Sequence, residues 1–329
     1  MYDRLLHHIE TNNILTDNQF GFRTFSSTAK ASYKLIDGIL DAINNKMMVG
    51  GIFCDLQKAF DCVNHTILLT KLKFYGITGK THELIKSYLE GRYQRVVLNN
   101  NSLDLCSNWG GITHGVPQGS ILGLLLFLLY INDLPQITNE NSKIILYADD
   151  TSLIIANPNP TNFENNVNKI FQDINRWFDT NLLSLILDKT HYIQFVNKKS
   201  SPLDLKIRYG NKKIANTFTT KFLGLTLKNT LSWKTHIDII VPKLSSATFA
   251  IRTVKPLLSQ DSLKKIYYSY FHSVMTYGII FWGNSYYSNA IFKLQKRIIR
   301  IIVGLRSRDS CREHFKTLKI LPLQSQYIL

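Results

Sequence analysis

Apolar positions set the rhythm of this chain. Over residues 29–42, Leu35, Ile36, Ile39 and Leu40 share one face of a 3.6-residue period and predict an amphipathic helix. Residues 50–55 (GGIFCD) form a short apolar run opened by glycines, the pattern of a buried strand. Asn64 is suited to cap a helix, and Leu68, Leu69, Leu72 and Tyr75 keep helical spacing until Gly76. A second short helix is expected from His82 to Gly91. Residues 92–98 and 103–112 flank Asn99, Asn100 and Asn101 as a β-hairpin. The oiliest run, ILGLLLFLLYI over 121–131, predicts a fully buried helix, far short of the roughly 20 residues of a membrane span.

A second hairpin is predicted from residues 144–148 and 151–155, with Asp149 and Asp150 at its tip. Adjacent carboxylates repel each other and resist burial unless something positive holds them. They are either parked at a solvated turn or aimed at a cation. An amphipathic helix over 162–178 and a strand over 192–196 follow. Beyond Trp233 the pattern turns helical, and a composition shift near Thr230 marks a boundary. Over 291–305, Ile291, Leu294, Ile298, Ile301 and Leu305 line one face, with Lys293, Lys296, Arg297 and Arg300 largely on the others. Such a basic amphipathic helix is either a solvated face over a core or a surface for nucleic-acid phosphates.

Length and composition narrow the class. The 329 residues suffice for one large domain or two to three smaller ones, and 45% hydrophobic with 19% charged residues excludes wholesale disorder. Lys plus Arg number 39 against 23 Asp plus Glu, a net charge of +16 that favours polyanions: nucleic acid first, an anionic membrane surface second. Cys54, Cys62, Cys106 and Cys311 show neither a CxxC nor a paired metal spacing and suit a reducing compartment. The opening MYDRLLHHIE has charges where a signal peptide needs an apolar stretch.

Candidate chemistry lies at strand ends. Asp55 ends one apolar run and Asp149 and Asp150 end another. If those strands are neighbours, three carboxylates meet at one sheet edge, a site for hard divalent ions and most plausibly Mg²⁺. Two such ions about 3.5–4 Å apart activate an attacking hydroxyl and neutralise a leaving pyrophosphate, and phosphoryl transfer asks little more than positioning and charge neutralisation. For ADD alone, a polar hairpin tip is the competing reading. Just before the oily helix, GVPQGS (115–120) combines Gly115 and Gly119 with a stiffening Pro117 and with Gln118, which both donates and accepts.

The stretches IFCDLQKAFDCVNHTILLTKLKFYGI (from Ile52), GVPQGSILGLLLFLLYINDLP (from Gly115) and LYADDTSLI (from Leu146) occur in that order. They resemble, motif after motif, the palm of reverse transcriptases of non-LTR retrotransposons, particularly jockey-like elements. The similarity extends upstream through NQFGFRTFSST (18–28) and downstream through LSLILDKTHYIQF, KFLGLTLKNTLSWKTHI and SYFHSVMTYGIIFWG. The resemblance implies an α+β right-hand polymerase: partial fingers over 1–47, an antiparallel-sheet palm with remaining fingers elements over 48–230, and a helical thumb with a basic extension over 231–329. It implies RNA-directed DNA synthesis with two Mg²⁺ ions (Mn²⁺ as substitute), an RNA template, a DNA primer and dNTPs as partners, and no membrane. An intracellular ribonucleoprotein, nuclear or cytoplasmic, is the matching location.

Carried over residue by residue, the resemblance makes Asp55, Asp149 and Asp150 metal ligands, with the Leu56 carbonyl as a further one. Tyr147 falls near the primer end. Phe60 matches an aromatic gate against the ribose 2′-hydroxyl, and Gln118 a glutamine near the dNTP 3′-hydroxyl. Lys189, in DKT, matches a lysine beside the departing pyrophosphate, and Arg23 matches a fingers contact to the triphosphate. Asp61 reads as a structural or helix-starting acid. Two departures stand out: Leu124 where the family writes proline, and Ile186 where it writes asparagine, a change expected to cost the Lys189 loop a hydrogen bond. Met1 falls inside the polymerase, with no endonuclease ahead of it, which predicts a truncated copy of impaired activity. The alternatives are a catalytically silent nucleic-acid-binding relic and, from the three acids alone, a nuclease.

Overall fold

Gly50 and Gly51 explain how the strand Met48–Cys54 runs through the middle of a sheet. A Cβ at Gly50 would come within 2.6 Å of the Tyr192 ring, and one at Gly51 within 3.0 Å of Phe195 and Phe53. Aromatic rings fill the space that the missing side chains leave. The computed structural model describes residues 1–100, 103–197, 203, 205–210 and 212–329. It divides into two compact units, Met1–Phe218 and Thr219–Leu329.

The first unit is built on a five-stranded sheet in the order Ala215–Asn216, His191–Phe195, Met48–Cys54, Asp150–Asn157, Ser142–Tyr147. Pairing is antiparallel except between the first two. Both faces are covered. Ile52, Leu153 and Ile155 join the core of Phe163, Val167, Ile170 and Phe171 from the helix Pro160–Thr180. On the other face Ile154 packs beneath Gly38 of the helix Thr28–Asn44, where an added Cβ would meet it at 3.2 Å. Double coverage is why these strands read as continuous apolar runs and not as alternating ones. Each such side chain, fully buried, contributes roughly 1.5–3 kcal/mol.

The predicted helices form. Asn64 caps His65–Phe74 by accepting from the Ile67 N–H at 3.0 Å, and Ser120 caps Ile121–Ile131 by accepting from Gly123 at 2.8 Å. The latter helix is buried from Leu125 through Ile131, as its lack of any polar face requires. The helix expected from His82 begins earlier, at Gly79–Leu89, since Gly79 with φ +58° looks like a breaker yet opens the first turn. The hairpin over 92–112 appears as two paired segments, Arg92–Gln94 with Gly110–Ile112 and Val97–Asn100 with Leu103–Cys106. Asn101 of its tip lies outside the described residues.

In the second unit, the hairpin Thr219–Phe222/Leu225–Lys228 precedes the helices, of which Lys234–Val254 and Asn289–Val303 pack together. The buried stripe of Asn289–Val303 is Ile291, Gln295, Ile298, Ile299 and Ile302, rotated from the expected one. The cause is Gln295. Fully buried, it donates to Tyr267 Oη (3.0 Å) and the Leu321 carbonyl (2.8 Å) and accepts from the Leu323 N–H (2.9 Å). With its polar atoms satisfied, an amide occupies a core position that hydrophobic spacing assigns to a neighbour. Lys293 and Arg297 are exposed, while Arg300 donates to the Asp309 carbonyl at 2.8 Å. No helix among the described residues is long and apolar enough to cross a membrane.

Candidate active site

The register of the sheet brings the three aspartates together. Met48–Cys54 pairs with Asp150–Asn157 from Met48 opposite Asn157 to Cys54 opposite Thr151. Asp55 and Asp150 are the next residues beyond that last pair, and the Asp55 charge acts on Asp150. Asp149 sits in the turn, and Asp150 opens the second strand opposite Tyr147. The acids therefore straddle the hairpin end.

Ala148 makes that turn possible and is strained by it. Two-residue hairpin loops of the primed kind need positive φ at the first position, where glycine is usual; Ala148 adopts φ +54°. It is held by a segment 129 residues away. Gln19, itself buried, accepts from the N–H groups of Gly21 (2.7 Å) and Ala148 (3.0 Å) through Oε1. Main-chain bonds from Phe20 N–H to the Leu146 carbonyl and from Leu146 N–H to the Asn18 carbonyl, both 2.8 Å, lay residues 18–20 along the open edge of Ser142–Tyr147. Gly21 is obligatory there, since a Cβ would stand 2.3 Å from the Ala148 nitrogen. Gln19 was not singled out by the sequence. The available signal was its place beside Gly21 in NQFGFR.

On the opposite flank, residues 184–190 zip onto residues 55–57. Gln57 N–H donates to the Ser184 carbonyl and Ile186 N–H to the Asp55 carbonyl, each at 2.8 Å, and Asp55 N–H reaches Thr190 Oγ1 at 3.4 Å. The Ile186 carbonyl then accepts from Lys189 (3.1 Å) and Thr190 (2.9 Å), so main-chain bonds order the Lys189 loop without an asparagine. Lys189 Nζ lies 3.4 Å from Asp55 Oδ2, a solvent-exposed ion pair. Leu56, next to Asp55, is buried and bridged to Leu185. Leu124 uses the N–H that proline would lack, donating to the Ser120 carbonyl at 3.4 Å.

Phe60 is half-buried, its ring 4.2 Å from that of Phe127. Gln118 Nε2 donates to Asp61 Oδ1 at 2.9 Å. Asp61 thus starts no helix: Asn64 is the cap, and the acid is tied to the glycine-rich loop. Arg23 donates to the Thr16 carbonyl at 2.6 Å and pairs with Asp17 at 3.4 Å, bonds within its own loop. Tyr147 is half-buried at the strand end.

Electrostatics single out Asp150. Its side chain keeps contact with water, yet partial desolvation, and then the charges of Asp149 and Asp55, push its carboxyl above the usual carboxylate range. Among the described residues no three His, Cys, Asp or Glu side chains already enclose a metal position, and the Asp55 carboxylate is turned to Lys189. The donor set nevertheless fits a hard divalent cation: only oxygens, three negative charges, and a carboxyl whose ionisation is resisted until positive charge arrives.

Comparisons with known proteins identify the family. The chain is 29% identical over 307 residues to the "Probable RNA-directed DNA polymerase from transposon BS" of Drosophila melanogaster, covering 88% of this chain and 33% of that protein. It is 27% identical over 327 residues to the RNA-directed DNA polymerase from mobile element jockey of the same fly, covering 94% and 35%. The chain thus spans about a third of the length of these curated relatives. Among solved structures, apo telomerase from Candida tropicalis shares the fold with a TM-score of 0.52 at 13% identity, over 99% of this chain and 54% of that one. Residues 1–227 match the family described as reverse transcriptase (RNA-dependent DNA polymerase), more than half of the chain, and the chain belongs to that family.

Proposed function

We propose that the chain is the polymerase of a jockey-like non-LTR element, extending a DNA 3′-hydroxyl with dNTPs on an RNA template. The observation that supports this reading is the register ending at Cys54 opposite Thr151, which leaves Asp55 and Asp150 as the next residue of each strand, with Asp149 in the adjoining turn. Asp55, Asp149, Asp150 and the Leu56 carbonyl would hold two Mg²⁺ ions. When bound, the ions supply charge neutralisation and a more acidic primer hydroxyl.

The remaining work falls to the chain itself. Lys189, whose ammonium lies 3.4 Å from Asp55 Oδ2 in an exposed pair, is the cation that would serve the departing pyrophosphate. There it stabilises developing charge or donates a proton. Phe60, braced by Phe127, presents a flat wall under the sugar that admits hydrogen at C2′ and rejects a hydroxyl. Gln118 meets the 3′-hydroxyl end of the incoming nucleotide, Tyr147 stands by the primer end, and Arg23 serves the triphosphate once released from Asp17. Residues 1–47 serve as partial fingers, 48–230 as palm with the remaining fingers elements, and 231–329 as a helical thumb with a basic extension, whose exposed Lys293 and Arg297 contact duplex phosphates with salt-sensitive affinity.

The test is primer extension on poly(A)/oligo(dT) with Mg²⁺ and dTTP. Template-dependent lengthening supports the reading. Binding of the hybrid without lengthening would mark a silent nucleic-acid binder, and cleavage without dNTPs a nuclease.

A further inference from the structure

The bond between Gln118 and Asp61 has a direction. Gln118 Nε2 donates to Asp61 Oδ1 at 2.9 Å. A carboxylate only accepts, so it takes the NH₂ end of the amide and leaves Oε1 for a ligand. An amide without that partner is free to present either end. The two residues are brought together by main-chain bonds between their loops: Gly115 N–H to the Val63 carbonyl at 2.7 Å and Val116 N–H to the Phe60 carbonyl at 2.9 Å. The approach is close enough that a Cβ at Gly115 would come within 2.8 Å of the Asp61 carbonyl oxygen. Both side chains line one cleft of ≈ 680 Å³, whose wall also carries Lys58, Arg92 and His114. Asp61 is thus part of the cleft, adjacent in sequence to Phe60.

We infer that Asp61 is a positioning residue for nucleotide selection: it fixes the Gln118 amide with Oε1 outward, as an acceptor for the 3′-hydroxyl of the incoming nucleotide. The inference rests on the polymerase reading above. Asp61 touches no reacting atom and acts through Gln118. A nucleotide without the 3′-hydroxyl leaves the oriented acceptor unmatched and is selected against, as sites built to bond a hydroxyl reject analogues lacking it.

The experiment measures kcat/KM for dTTP and for 2′,3′-dideoxy-TTP on poly(A)/oligo(dT), and takes their ratio. Asp61→Ala is expected to lower the ratio roughly three- to tenfold, the size of one hydrogen bond. Asp61→Asn, whose amide tolerates either Gln118 orientation, should lower it less, and Asp61→Glu should keep it within about twofold, because the acceptor remains. In a Gln118→Ala background, Asp61→Ala should change the ratio by less than about twofold, since the two residues act as one unit. An unchanged ratio in Asp61→Ala, with kcat/KM falling equally for both nucleotides, overturns the inference, as does an equal drop in the Gln118→Ala background. If Asp61→Ala does not fold, the Asn and Glu variants decide by the same ratio. A wild-type chain that incorporates neither nucleotide sinks the polymerase reading, and this inference with it; incorporation with an unmoved ratio sinks this inference alone.

Discussion

Gln19 Oε1 accepts the N–H of Ala148 at 3.0 Å and so ties the N-terminal segment to the strained turn between Tyr147 and Asp150. A left-handed alanine at a site of chemistry persists only when its surroundings hold it there. The clamp and the turn that carries Asp149 are one mechanical unit.

The clamp predicts the effect of filling Gly21. Gly21→Ala would set a Cβ 2.3 Å from the Ala148 nitrogen, so backbone must move. Unfolding in urea should show a loss of about 1–3 kcal/mol, with a lower kcat in primer extension. Wild-type stability and rate in this variant would contradict the clamp.

Lys189 offers a cleaner separation of activity from stability. Its pair with Asp55 is exposed on both sides, and such pairs contribute about 0–1 kcal/mol. Lys189→Ala should therefore leave the denaturation midpoint nearly unchanged while slowing extension about 10²-fold, as expected for a lost acid or charge partner. A variant that loses stability and activity together would assign Lys189 a structural role instead.

Asp150 predicts a trade of stability for function. Its carboxyl pKa is raised in the folded chain, by partial desolvation and then by Asp149 and Asp55. The folded state thus holds this proton more tightly than the unfolded state does. Stability from this group is present at low pH and lost as pH rises through the raised pKa. Without divalent ions, Asp150→Asn should be more stable than wild type at neutral pH. Thermal melts at pH 4 and pH 7.5 should show the gap opening with pH.

His236 in the second unit has the opposite sign. Its Nδ1 accepts from the Thr226 N–H at 3.2 Å, and burial, then Lys243, push its pKa down to about 4. The unfolded chain, with a histidine near 6.5, binds more protons between those values. Stability is whole above pH about 6.5 and falls toward pH 4, by on the order of 3 kcal/mol for this group. Replacement by glutamine should flatten that part of the pH–stability curve. A slope equal to wild type would show that His236 does not titrate as described.

Much of the first unit is legible in the sequence because its signals are local and physical. Short oily runs such as GGIFC and ILYADDTSLII, broken by glycine or by the acid pair, read as buried strands, and Asn64 announces its helix. Less legible is whatever depends on one side chain meeting distant backbone. Gln19 reads as an ordinary loop amide until Ala148 is known to need a partner. Asp61 reads only as a structural or helix-starting acid until Gln118 is found against it. Gln295 misled the face of its helix for the same reason, since its three partners lie 26–28 residues away in sequence. Periodicity records burial but not satisfied polar burial.

In the proposed polymerase, Asp55, Asp149 and Asp150 act together on the nucleotide while binding of nucleic acid rests elsewhere. The most direct test of this division is primer extension and hybrid binding measured side by side, at one salt concentration, for wild type and Asp149→Asn. Wild type is expected to extend oligo(dT) on poly(A) with Mg²⁺, and the variant to lose extension while its Kd for the hybrid changes by less than about twofold. Extension by the variant at the wild-type rate, or joint loss of extension and binding, would contradict it.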